Sequence, residues 1–207
     1  MKIDPGHELQ LLSMEFTDAL RDEYARLFAT CVIRRDRLDD VACAVQAIVR
    51  NRERYRLVSK PLGVPWHVTG ILHSLEASLR FDRHLHNGDP LTDRTQNHPS
   101  GRPEESRPPF RWEHSAFDAL VYAKLYQWTD WSLPGMLYRL EMYNGFGYRV
   151  HHPEVLSPYL WSFSNHYERG KYVGDGEFSA VAVSEQCGGA VLLKRMMECG
   201  VVKRCVS

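Results

Sequence analysis

The chain has 207 residues, room for one large domain but not for two comfortable ones. With 43% hydrophobic and 25% charged residues it has the composition of a folded globular protein, which excludes a disordered or fibrous one. Its 26 Lys and Arg balance 26 Asp and Glu, so no net field draws it to nucleic acid or to an acidic membrane surface.

The elements follow in chain order. Leu9, Leu11, Leu12, Phe16, Leu20, Tyr24, Leu27, Phe28 and Val32 recur at helical spacing and predict a first helix from after Pro5-Gly6 to near Arg34. Leu38, Val41, Ala42, Val45, Ile48 and Val49 predict a second, with Asp36 as its N-cap, running out near Ser59 to Gly63. The basic residues at 34–37 and 50–56 are interleaved with acids and read as solvated helix faces. Pro65 suits the first turn of a third helix carrying Val68, Ile71, Leu72, Leu75 and Leu79. Residues 82–110 are rich in Gly, Pro, Asn, Asp, Thr and Ser; they predict a long functional loop holding a short β-hairpin.

Helical spacing returns over Trp112 to Tyr126, and again over Leu133 to Tyr143 with Ser132 as N-cap and Gly145 ending the helix. A loop with Pro153, Pro158, Tyr159 and Trp161 leads to a last helix from about Ser179 to Cys199, with Gly188-Gly189 inside it for close packing. The expected fold is mainly α, a single domain over 1–207. N-terminal helices occupy 1–60, a core spans 64–199, and a small β or loop lobe is inserted after the third helix.

Five cysteines, Cys31, Cys43, Cys187, Cys199 and Cys205, form no CxxC pair and read as reduced thiols from a reducing compartment. The N-terminus has no apolar core of signal-peptide length and no run reaches membrane-spanning length. A substrate outside the cytoplasm would then require delivery by other machinery.

The residues with chemistry to offer cluster after the third helix. Glu76 sits late on an apolar helix, where burial raises a carboxyl pKa and keeps it protonated for general-acid work. The loop His84-Leu85-His86-Asn87-Gly88-Asp89-Pro90-Leu91-Thr92-Asp93 supplies Asp89 and Asp93 as candidate second carboxylates. Either would act as base, nucleophile or stabiliser of an oxocarbenium-like state. Thr92 and Thr95 suit a held water, and His86, Asn87 and Thr92 are expected substrate contacts. Tyr143, Asn144, Tyr148, Tyr159, Trp161 and Tyr167 offer the aromatic faces and amides that bind sugar rings, Tyr143 and Trp161 foremost. The histidines at 84, 86, 151 and 152, and His73 beside Glu76, show no HExxH and no zinc spacing. No metal and no cofactor is expected, and the histidines read as loop-building or carboxylate-positioning groups. There is neither a phosphate loop nor a GxSxG elbow.

Leu75-Glu76-Ala77-Ser78-Leu79-Arg80-Phe81 resembles the Glu-Ser-x-Phe signature of soluble lytic transglycosylases, with Ala77 where Ser is usual. The Glu76–Asp89 spacing resembles that of goose-type lysozymes. Glu141-Met142-Tyr143-Asn144-Gly145 is similar to the Tyr-Asn-Ala-Gly segment of the same lysozyme-like superfamily. Residues 64–196 further resemble bacterial and phage lysozyme-family proteins, through the His84–Thr92 segment and Ser157-Pro158-Tyr159-Leu160-Trp161-Ser162. Muramidase domains of some type VI secretion effectors are similar too. The Gly-Leu-Met-Gln segment typical of transglycosylases is absent.

This resemblance implies a lysozyme-like α+β fold and a peptidoglycan muramidase with Glu76 as general acid. A lytic transglycosylase on the same bond, or an idle glycan-binding domain, are the alternatives; chitin is a related substrate. The implied setting is a monomer acting on the cell wall, delivered by phage lysis or a secretion system. Its partners would be glycan strands and, for an effector, an immunity protein.

Overall fold

The computed structural model describes residues 14–174 and 176–202. The described residues are mainly helical, with one small antiparallel sheet. Helix α1, Asp18–Thr30, starts where the Thr17 side chain accepts from the Leu20 amide at 3.2 Å, and it buries Leu20, Tyr24, Leu27 and Phe28. It stops four residues before the expected Arg34 because Cys31 turns extended. The expected residues Leu9, Leu11 and Leu12 lie outside the described residues, as does Cys205.

Helix α2, Leu38–Arg50, buries Val41, Val45 and Ile48. Asp36 is not its cap. It lies in a 3-10 turn, Arg35–Arg37, and its carboxylate is taken by Arg34 at 2.7 and 3.2 Å, leaving Arg37 as a cap without a side-chain bond. The predicted second helix is two. Asn51 breaks it, its amide donating back to the Ala47 carbonyl at 2.9 Å, and α3 resumes over Arg52–Ser59.

Helix α4, Trp66–Ala77, is the central element, with every residue from Val68 to Leu75 buried. Pro65 precedes it as N-cap. At Gly70 a Cβ would lie 2.5 Å from Ile48 and 3.3 Å from Tyr55, so glycine lets α2 and α3 cross close to α4. The helix ends before Leu79, because Ser78 and Leu79 both take left-handed φ, 50° and 61°, and turn the chain sharply.

Residues 82–111 contain no strand; the hairpin expected there is absent. An isolated bridge joins Arg83 to Pro90, but the amides of Gln96, Asn97 and Arg102 are bound by the Asp89 and Thr95 side chains rather than by a partner strand. The lobe after α4 is therefore a side-chain-knotted loop. Helix α5, Trp112–Tyr122, stops short of Tyr126 because Lys124 adopts φ 54°. Helix α6, Leu133–Asn144, keeps its expected cap, Ser132, whose hydroxyl accepts from the Gly135 amide.

Short helices α7, Gly147–His151, and α8, Pro158–Trp161, follow. The sheet is a hairpin of β1, Lys171–Gly174, and β2, Glu177–Ser179, pairing Lys171 with Ser179 and Tyr172 with Phe178. The last helix, α9, is Gly189–Glu198, ten residues later at its start than the periodicity suggests. Gly188 and Gly189 stand at its entry, not inside it. A Cβ on Gly188 would meet the Leu160 carbonyl at 2.3 Å, and one on Gly189 would touch Ile71, Leu75 and Leu140 at 3.2–3.4 Å. Close packing is still their role, with α9 entering against α8, α4 and α6. No described helix is long and apolar enough to cross a membrane.

Candidate functional site

The last turn of α4 brings Glu76 to the edge of the core. The residue is half-buried by surface exposure, yet protein surrounds its carboxyl on most sides. Burial raises its pKa from 4.5 to about 7, and a hydrogen bond from Tyr159 pulls part of the way back. That hydroxyl donates to Oε1 at 2.6 Å, so the acidic proton of the neutral form belongs on Oε2. Tyr143, on α6, donates its hydroxyl to the Leu85 carbonyl at 2.9 Å. Both phenols are held well above their usual pKa, by burial first and then by the neighbouring Glu76 charge; the Asp118 charge also acts on Tyr143. One carboxyl and two neutral phenols thus converge from α4, α6 and α8.

The end of α4 is fastened on two sides. Gln186 donates its side-chain amide to the carbonyls of Ser74, at 3.1 Å, and Leu75, satisfying groups that a helix terminus leaves open. On the other side Gly88 lies against the Glu76 carbonyl, where a Cβ would come within 2.5 Å, and its φ is +77°. Gly88→Ala is therefore expected to cost roughly 1–3 kcal/mol, the usual price of such backbone strain. It should also displace the loop from Glu76. Thermal denaturation and an activity assay on the same preparation check both effects.

Asp89, proposed as a second carboxylate, is occupied as a loop organiser. Its carboxylate accepts from the Gln96 and Asn97 amides at 2.8 and 2.9 Å and from the Asn97 and Asn87 side chains at 2.7 and 3.0 Å. Partial burial pushes its pKa up, but these donors outweigh it and hold the carboxyl below its ordinary range. Asn87 completes the knot by donating to the Asn97 carbonyl as well, so its amide also serves the loop. Asp93 is exposed, bonded through Oδ1 to the Arg94 amide, and its carbonyl is held by His84 at 2.8 Å. Thr92 is exposed, while Thr95 is buried and bonded to the Pro99 carbonyl.

His73, His84 and His86 are engaged in contacts within the protein. His73 is fully buried, its Nδ1 3.0 Å from the Tyr55 hydroxyl and its Nε2 3.1 Å from the Arg80 carbonyl. Burial lowers its pKa to about 4 and keeps it neutral. His84 spans Ser115 at 2.7 Å and the Asp93 carbonyl. His86, expected at the substrate, is buried with Nε2 on Asp118 at 2.8 Å, and Arg102 holds the same carboxylate at 3.0 Å through Nε. No group of three or more His, Cys, Asp or Glu among the described residues is placed to hold a metal ion.

Trp161 is 1% exposed and packs its ring on His166, so it belongs to the core and not to a sugar-binding surface. Tyr167 is buried as well, its hydroxyl bonding the Gly170 carbonyl. Asn144, Tyr148 and Tyr159 line a cavity of about 410 Å³ between the α6–α7 turn, α8 and the hairpin, joined by Gln186. Since Tyr159 and Gln186 also bind α4, this cavity adjoins the Glu76 turn. An apolar groove of about 340 Å³ between α2 and α9, lined by Val45, Val49 and Cys199 among others, includes none of the candidate catalytic or substrate-binding residues.

Sequence reasoning missed Asp118, Arg102 and Gln186. No local pattern marks them, since each acts on a residue well separated from it in the chain. The four described cysteines are free; Cys31 and Cys187 are buried, and burial pushes both thiols up. No family model, no curated protein and no solved structure matches the chain.

Proposed function

We propose that the chain is a lysozyme-like glycosidase that cleaves the β-1,4 bond between N-acetylmuramic acid and N-acetylglucosamine in peptidoglycan, with Glu76 as general acid. The observation that carries this reading is the Glu76 carboxyl itself. It stands at a helix end with its pKa raised to about 7, beside two neutral phenols and an open polar cavity. A carboxyl still protonated near neutrality has the driving force to protonate a glycosidic oxygen as the bond breaks. Oε2 delivers the proton while Tyr159 holds Oε1, and the same hydrogen bond then stabilises the carboxylate left behind.

The engagement of Asp89 favours a second course. With that carboxylate bound by four donors, Glu76 acts as the sole acid and base, and the muramyl 6-hydroxyl closes onto C1 as in a lytic transglycosylase. Asp89→Asn does not separate the two courses, because it loosens the loop in either. Digestion of purified sacculi followed by mass spectrometry does: reducing muropeptide ends mean hydrolysis and anhydromuramic ends mean transglycosylation. Absence of any soluble product from folded protein sinks both and leaves a binding domain.

The pH profile gives a further check. Activity requires protonated Glu76, so kcat/KM should be flat below about pH 7 and fall about tenfold per unit above it. Tyr159→Phe removes the hydrogen bond that lowers the Glu76 pKa, so the alkaline limb should move to higher pH. A limb that stays in place shows that Glu76 does not set it.

A further inference from the structure

Beside the Glu76 turn, the 410 Å³ cavity is lined by the polar residues Tyr148, Tyr159, Ser184, Asn144 and Gln186. Among its described lining residues Lys171 carries the one charge. Lys171 sits at the start of β1, paired through its backbone with Ser179, so the hairpin fixes its place in the cavity lining. No ion pair holds its ammonium among the described residues, although Arg21, Arg37, Arg102 and Arg149 all have carboxylate partners. A half-exposed cation without a carboxylate partner, in the same polar cavity as the tyrosine that holds the acid, is matched to an anionic group on the substrate.

We infer that Lys171 reads a carboxylate carried on the 3-position of the muramyl sugar, and so gives the site its preference for peptidoglycan over uncharged N-acetylglucosamine polymers. This rests on the glycosidase reading above. Tyr159 both holds Glu76 and lines the cavity, so on that reading the cavity is the place for substituents of a ring whose glycosidic oxygen meets Glu76. Its size suits a lactyl group with the first residues of a peptide, and its amides and hydroxyls suit peptide and acetamido groups. The carboxylate has two sources: the lactyl acid of a bare strand, or the first free acid of an attached stem.

Binding measured on the Glu76→Gln background tests this without turnover. Titration calorimetry compares that protein with its Lys171→Met derivative, which keeps the stem length and loses the charge. The probes are a disaccharide dipeptide muropeptide, the amidase-stripped disaccharide with a free lactyl acid, and neutral N-acetylglucosamine tetramer. Loss of one charged hydrogen bond should weaken binding of an anionic probe about tenfold and leave the tetramer unchanged. The probe that loses affinity identifies the source of the carboxylate. Equal loss on all three probes, no loss on either anionic one, or no binding of either anionic probe before substitution overturns the assignment. Failure of the glycosidase reading is seen separately, as wild-type protein that binds muropeptide but releases nothing from sacculi.

Discussion

Glu76→Gln is expected to lower sacculus lysis by about a hundred- to ten-thousand-fold, the usual contribution of a positioned general acid. The substitution keeps an oxygen for Tyr159 to donate to, so the local contact is retained while the transferable proton is lost. Near wild-type lysis by the folded variant would remove Glu76 from the mechanism. Stability should move the other way. Below pH 4.5 the carboxyl is protonated whether the chain is folded or not, and no difference arises. Between 4.5 and about 7 the unfolded chain releases a proton that the folded one retains, so wild-type stability falls as pH rises, and above 7 the penalty is constant. Glu76→Gln carries no such penalty. Its melting temperature should draw ahead of wild type as pH rises through that window, and a constant difference across it would contradict the burial argument. An active site that is less stable than its amide variant is the usual cost of function.

The second large effect is on folding. Glu141 is 2% exposed and accepts from Tyr24 at 2.6 Å and from Arg149 at 3.0 Å through both carboxylate oxygens. Arg149 reaches on to Glu23 at 2.8 Å, so the cluster ties α1, α6 and α7 together. Glu141→Ala leaves the Arg149 guanidinium largely buried with only Glu23, and breaking a buried pair in this way costs roughly 3–5 kcal/mol. For a chain of this size that is a fall in melting temperature of about 10 °C. The residual folded protein should keep the wild-type pH limb, because Glu141 does not touch Glu76. A melting temperature unchanged within a degree would mean that the cluster contributes little net stability. The Glu-x-Tyr-Asn segment thus divides its work: Glu141 anchors α6, while Tyr143 and Asn144 face the region of Glu76 and the cavity.

Several parts of this arrangement are legible one residue after another. Apolar spacing places α4 and α6 within a few residues of where they form, and Ser132 and Gly145 mark the ends of α6, whereas α1 and α2 are each shorter than their spacing suggests by about a dozen residues. Glu76 late on an apolar helix marks a carboxyl that burial would hold at a raised pKa, while the segments that bury it come from elsewhere in the chain. Helix ends, the hairpin and the fate of polar side chains are not legible in this way. Asn51 and Lys124 stop helices through backbone conformations that periodicity does not encode. The hairpin forms at 171–179 and not in 82–110, where side chains of Asp89 and Thr95 capture the amides that a strand would need.

Spacing along the chain establishes a mainly helical protein with a lone acid at the end of its central helix, since a 3.6-residue repeat and a neighbouring turn are local properties. Whether a given polar group stays open for chemistry depends on donors and acceptors that arrive from elsewhere. Tyr159 comes from 83 residues away to hold Glu76, and Asp118 from 32 residues away to bind His86. Asp89, with its donors within eight residues, is consumed by its own loop, and Trp161 is enclosed in the core. A carboxylate's protonation and availability follow from the balance of burial and hydrogen bonds around it, and most of that balance is assembled only when distant segments pack together.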